Sequence, residues 1–128
     1  MDGAALDALI ESALAYSGGT HTLDDILLGI ATDRYQLWTG EASVMVTEIV
    51  AYPQLRDLAI FLAAGAMDEL RRMQHVVLAW GAEQGCRRAT FTGRRGWERS
   101  PLVTEDGWTP TWTTCVRPLT PLTMEDVL

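Results

Sequence analysis

The sequence predicts a single α/β domain of the α+β kind: a central mixed sheet of about five strands with helices on both faces. Three observations carry that prediction. The first is a strand–helix–strand pattern from Asp57 to Gly93. The apolar run Asp57–Ala63 has strand length, Asp68–Gln84 has helical periodicity, and Cys86–Thr92 is a second short strand closed by Gly93. Strands joined through a crossover helix lie parallel. The second is a pair of strands ahead of this unit, Tyr35–Trp38 and Ser43–Val50, whose short turns impose antiparallel pairing. The third is size: 128 residues at 48% hydrophobic content suit one domain, able to bury roughly two thirds of its unfolded surface. Residues 1–118 are read as that domain and 119–128 as a C-terminal tail.

The elements follow in order. Asp2–Tyr16 is a first helix, with Leu6, Leu9, Ile10, Ala13 and Leu14 on one face. Ser17-Gly18-Gly19-Thr20 breaks it. Thr22 starts a second helix as N-cap, with Asp25 in the reciprocal position of a capping box. Leu23, Ile26, Leu27 and Ile30 form its buried face. In the strand Ser43–Val50, Val44 and Val46 face one way and Met45 and Thr47 the other. Pro53 ends pairing there. The run from Asp57 is apolar on both faces, as a central covered strand requires. The long helix places Leu70, Met73, Val77 and Trp80 on one stripe, Val76, Leu78 and Ala79 widen the apolar arc, and Gln74 and Gln84 lie off it. Gly81 inside it costs about 1 kcal/mol against alanine, which close packing would explain. Arg94–Asp106 holds a short helix disturbed by Pro101, and Gly107 ends it. Trp108–Pro118 alternates and is threonine-rich, so it reads as a last strand; Met124–Leu128 is one helical turn.

Bulk properties exclude several functions. A net charge of −7 argues against a nucleic-acid surface. No apolar run approaches the roughly 20 residues that span a bilayer. The start Met1-Asp2-Gly3 is acidic, unlike a signal peptide, so the expected location is cytoplasmic. Cys86 and Cys115 form neither a disulfide framework nor a zinc spacing, and both fall in predicted strands as small buried thiols. No metal site is expected.

The order helix, helix, three strands, long helix, strand, short helix, strand resembles the fold of the Gcn5-related N-acetyltransferases, the GNAT family, without its usual first strand. The turn between the third strand and the long helix, and the Gly107-Trp108 pair before the last strand, carry the resemblance locally. It spans about residues 20–118. Tyr35-Gln36-Leu37-Trp38 and Thr92-Gly93-Arg94-Arg95-Gly96-Trp97-Glu98-Arg99 are also similar to small GNAT-like proteins of tailed phages and prophages.

The resemblance implies acetyl-CoA at the turn, through Ala64, Gly65 and Ala66, whose backbone and helix end would hold the pyrophosphate. The family's turn reads Gln/Arg-x-x-Gly-x-Gly/Ala, whereas this chain has Ala63-Ala64-Gly65-Ala66-Met67-Asp68-Glu69. Asp68 and Glu69 occupy the first helical turn, and at roughly 5 Å with an effective dielectric near 20 each would repel a phosphate by about 3 kcal/mol before screening. Transfer also needs a base and an acid. Glu48 is the carboxylate that could face a cleft, but a solvated strand carboxylate is the favoured reading of it; no tyrosine follows Tyr52, and Trp97 stands in the short-helix region. His21 reads as loop and His75 as surface, so no catalytic residue is assigned.

The sharpest charged feature is Arg87, Arg88, Arg94, Arg95 and Arg99 around Trp97. Pairing with Glu98, Glu105 and Asp106 on a solvated surface is one reading. A protein interface through Arg94, Arg95, Trp97 and Arg99 is another, and a nucleic-acid contact a third. The expectation is a non-catalytic GNAT-fold interaction or structural protein, as in a phage virion, whose partners are other proteins or its own copies. The alternative is an N-acetyltransferase that uses acetyl-CoA on an amine.

Overall fold

The computed structural model describes residues 1–127. A four-stranded sheet runs in the order β1-β2-β3-β4, with β1 Gln36–Thr39, β2 Val44–Ala51, β3 Arg56–Ala64 and β4 Arg88–Phe91. The first three strands are antiparallel, and β4 lies parallel to β3. The connection that makes this possible is α3, Met67–Glu83. Two N-terminal helices, α1 Gly3–Leu14 and α2 Leu23–Ala31, precede the sheet. After β4 come a 3₁₀ turn, Arg95–Arg99, the short α4, Pro101–Thr104, and near the end α5, Met124–Val127.

Local chemistry sets the helix starts. The Asp2 carboxylate accepts from the Ala5 N–H at 2.8 Å and caps α1. At α2 both bonds of the capping box form: Thr22 Oγ1 accepts from Asp25 N–H at 3.2 Å, and Asp25 accepts from Thr22 N–H at 2.8 Å. The expected alternation of β2 then divides the core. Val44 and Val46 join Ile10, Ile26, Tyr35 and Leu62 beneath α1 and α2. Met45 joins Leu58, Ile60, Leu70 and Val77 beneath α3. Each such aliphatic side chain, fully buried, contributes about 1.5–3 kcal/mol. The parallel pair is pinned at its start, where Arg88 donates to the buried Asp57 carboxylate at 2.6 and 3.1 Å.

Gly81 shows why α3 tolerates a glycine. A Cβ there would stand 2.7 Å from Leu58 Cδ2 and 3.3 Å from Leu58 Cβ. The helix lies directly on β3 at this point.

The structure corrects five expectations, the first being Leu27, which is exposed rather than on the buried face of α2. The sheet has four strands rather than about five among the described residues, because Trp108–Pro118 forms none. Its threonines have strand propensity, but propensity needs a packed face, and every residue from 109 to 125 is exposed. Pro110 and Pro118 also remove ladder donors at both ends. Cys115 is therefore exposed rather than buried in a strand; Cys86 is half-buried in the loop before β4, where burial pushes its thiol pKa up. Pro101 does not disturb a helix but starts α4, at the position where its missing N–H costs nothing. On α3 the buried row is Leu70, Gln74, Val77 and Gly81, while Val76 is exposed. The predicted final turn forms over Met124–Val127, and its last residue, Leu128, lies outside the described residues. No helix among the described residues is long and apolar enough to cross a membrane.

Candidate functional site

β3 and β4 part company halfway. They pair from Asp57 with Arg88 to Ile60 with Phe91, and β3 then runs on to Ala64 without β4. The departure coincides with an irregularity at Phe61. Val46 pairs with Leu62 and Thr47 with Ile60, so Phe61 is an extra residue on β3. Such a bulge bends its strand and sharpens the twist. The gap it opens is a cleft of 1220 Å³, with Phe61–Gly65 on one wall and Phe91–Arg94 and Trp97 on the other.

The turn from β3 to α3 forms one end of this cleft. Gly65 has φ +128 and sits where a Cβ would meet Ser43 Oγ, Ala42 O at 2.5 Å and Ser43 Cα at 2.5 Å. Ser43 is fully buried, and its hydroxyl accepts from Ala66 N–H at 3.0 Å. Ala66 is the N-cap of α3 and supplies no side-chain cap. The amides of Met67, Asp68 and Glu69 open the helix, where no intrahelical carbonyl is within reach. Of the three turn residues picked from the sequence, Gly65 makes the close approach, Ala66 is the cap, and Ala64 ends β3 on the cleft wall.

Glu69 does not stand over this helix end as a free charge. Its carboxylate reaches the β1–β2 turn and accepts from Glu41 N–H at 2.8 Å and Ala42 N–H at 2.9 Å. Bonds from the Ser43 hydroxyl and these two amides hold its carboxyl below the usual range. Asp68 faces solvent, 3.7 Å from Arg72 one turn on, where water screens it. Both carboxylates stay charged: that of Glu69 is turned to the hairpin amides, and that of Asp68 to solvent and Arg72.

The opposite end of the cleft lies beside α1 and the loop before α2. His21 lines it, with Nδ1 2.7 Å from Thr20 Oγ1 and Nε2 3.5 Å from the Tyr35 hydroxyl. Phe61 packs against both rings. Glu48 also lines the cleft from β2, partly exposed and 3.9 Å from Arg34. His75 is exposed on α3. The sequence placed His21 in a loop without linking it to any cavity; the link depends on Phe61, whose displacement by the bulge has no local signature.

The arginine segment separates into two kinds of residue. Trp97 turns inward, 5.9 Å from the Phe91 ring and over Gly93. Arg94 reaches across the cleft mouth and lies 4.4 Å from the centre of the Tyr16 ring, a cation–π contact. Two of the three acids expected to neutralise the segment are used elsewhere. Asp106 accepts from Arg71 at 2.7 and 2.8 Å and from Gln74 at 2.8 Å, and Glu105 lies 3.3 Å from Arg71. Among the described residues Arg94, Arg95 and Arg99 have no ion pair. The sequence pattern gives no sign of the Asp106 network, because the polar Gln74 interrupts the apolar stripe of α3. Its side chain in fact also accepts from Trp108 Nε1 at 2.9 Å and ties the end of α4 to α3.

No family model matches the sequence, and no curated protein does. Solved structures match nearly its full length. A probable acetyltransferase aligns with TM-score 0.67 at 9% identity, over 92% of this chain and 92% of that one. The ribosomal-protein-alanine N-acetyltransferase of Brucella melitensis biovar Abortus 2308 aligns with TM-score 0.63 at 11% identity, over 91% and 92%. A protein of Thermus thermophilus aligns with TM-score 0.60 at 13% identity, over 91% and 95%. At such identities the likeness is one of fold. With its splayed parallel strands and the helix-start turn between them, the chain has a GNAT-like fold.

Proposed function

We propose that the β3–β4 cleft binds acetyl-CoA and presents its thioester to an amine, making the chain an N-acetyltransferase with an atypical CoA turn. The observation that carries this reading is the departure of β3 from β4 at Phe61, beside the uncapped start of α3. The pyrophosphate has the amides of Met67, Asp68 and Glu69 and the positive end of a 17-residue helix as partners. The pantetheine arm carries peptide-like amides, and the edge of β3 from Phe61 to Ala64 offers backbone groups that β4 leaves free. Two of the matching structures are named as acetyltransferases. Calorimetry tests the reading. Acetyl-CoA at a hundredfold excess over its dissociation constant stabilises the fold by about 2.7 kcal/mol. No heat and no shift in melting temperature at millimolar acetyl-CoA would reject it.

A second reading is favoured by a different surface. Trp112, Val116, Leu119, Leu122 and Met124 are large apolar side chains left exposed on the C-terminal arm, and Arg94, Arg95 and Arg99 lie exposed without acid partners among the described residues. Exposed apolar surface of this kind marks an interaction site. On this reading the chain is a non-catalytic structural or interaction protein, a virion component in the form that the phage resemblance implies. Arg94→Ala with Arg95→Ala then abolishes partner capture while the melting temperature holds; unchanged capture would reject it.

A further inference from the structure

Four titratable side chains line the cleft: Tyr16, His21, Glu48 and Arg94. Their chemistry differs sharply. A guanidinium is a donor only, a phenol both donates and accepts, and an ionised carboxylate only accepts. Glu48 also has Arg34 beside it as a counter-charge. A neutral imidazole offers one donor and one lone pair, and histidine is the side chain most often used for general acid–base work. His21 is also the group whose proton location the surrounding bonds specify. The Thr20 hydroxyl donates to the Ser17 carbonyl at 3.3 Å, so its oxygen is left to accept. The partner at 2.7 Å is His21 Nδ1, and the tautomer consistent with both bonds carries its proton there. Nε2 keeps its lone pair, and the Tyr35 hydroxyl at 3.5 Å is too distant to occupy it firmly.

We infer that His21 is the base of the acyl transfer, acting through Nε2, and that Thr20 is the residue that positions it; this rests on the acetyl-CoA reading above. The acceptor is a primary amine entering beside the C-terminal end of α1. Its nitrogen attacks the thioester carbonyl carbon, the C–N bond forms, and the proton shed by nitrogen passes to His21 Nε2. The C–S bond then breaks with its electron pair on sulfur, and the thiolate recovers the proton from the imidazolium. Amide and free thiol are the products, and no redox partner is needed. The charged or titratable groups facing His21 are Asp25 of α2, Tyr35, and, along the cleft, Glu48, Tyr16 and Arg94.

The test uses the full chain in two measurements. In a long-range ¹H–¹⁵N spectrum of histidine-labelled protein, neutral His21 shows the Nδ1–H tautomer, and Thr20→Val loses that preference while Thr20→Ser keeps it. An Nε2–H tautomer in the wild type would overturn the assignment. In a thiol-release assay with acetyl-CoA and an alanyl peptide, a lysyl peptide and spermidine as probe amines, His21→Gln lowers kcat by about 100-fold or more. It also flattens the acid limb of the pH profile, while calorimetry gives an unchanged acetyl-CoA affinity. Wild-type rate and profile in His21→Gln would overturn the inference and leave the cleft reading intact, as would binding without transfer to any probe. Absence of acetyl-CoA binding in the wild type would reject the cleft reading and the transfer role of His21 together.

Discussion

Replacing Gly65 by alanine tests how the cleft turn is held. The backbone there has φ +128, a region that costs a non-glycine residue about 1–3 kcal/mol. Sterics add to it, because the new Cβ would stand 2.5 Å from Ala42 O and 2.5 Å from Ser43 Cα. Both are backbone atoms of the β1–β2 hairpin, so no rotamer change relieves the clash. If the hairpin moves, the Ser43–Ala66 hydrogen bond is strained, worth about 1 kcal/mol. The sum is about 2–4 kcal/mol. For a chain of this size that lowers Tm by roughly 10 °C. Urea unfolding at 25 °C, followed by circular dichroism, measures it. Gly96→Ala is the control, since a Cβ there has nothing within 4 Å. Loss of acetyl-CoA binding accompanies the instability, because the moved hairpin drags the α3 start with it. Equal stability of Gly65→Ala and Gly96→Ala would refute the reasoning.

Three further predictions rest on separate contacts. Gly81→Leu destabilises by about 1–3 kcal/mol through overpacking against Leu58, measured by the same urea titration; a neutral result would mean that α3 does not press on β3. The Asp106 carboxyl is held at about 2, chiefly by the Arg71 hydrogen bond. A folded pKa below the unfolded value of about 3.9 gives stability that is present above about pH 4 and lost as pH falls through about 2. Asp106→Asn therefore lowers Tm at pH 7, with the gap to wild type closing between about pH 4 and pH 2; a gap constant with pH would contradict the network. Glu69→Gln removes the charge that braces Glu41 and Ala42, so amide exchange at those two positions accelerates, whereas unchanged protection would place the brace elsewhere.

The fold was legible where local pattern and tertiary environment agree. Thr22 with Asp25, the alternation of Val44, Met45 and Val46, and the apolar run of β3 each signal an element through short-range chemistry. Trp108–Pro118 misled because threonine propensity was read without the packed face that would realise it. The site was less legible. Glu69 looked like an obstacle to an anion, and only the hairpin placed 27 and 28 residues earlier shows that its charge is already engaged. Gln74 looked exposed because its polar side chain broke the stripe, yet it is satisfied inside by Asp106 and Trp108. Phe61 carries no mark of the bulge it occupies. Each of these depends on partners distant in sequence, which periodicity does not encode.

The central claim is that acetyl-CoA enters between β3 and β4 with its pyrophosphate at the start of α3. A ¹H–¹⁵N correlation titration of the full chain with acetyl-CoA addresses it most directly. The account predicts the largest shifts at the amides of Gly65, Met67, Asp68 and Glu69, with further shifts from Phe61 to Ala64 and at Phe91 to Gly93. Saturating shifts elsewhere, or none at millimolar acetyl-CoA, would contradict it.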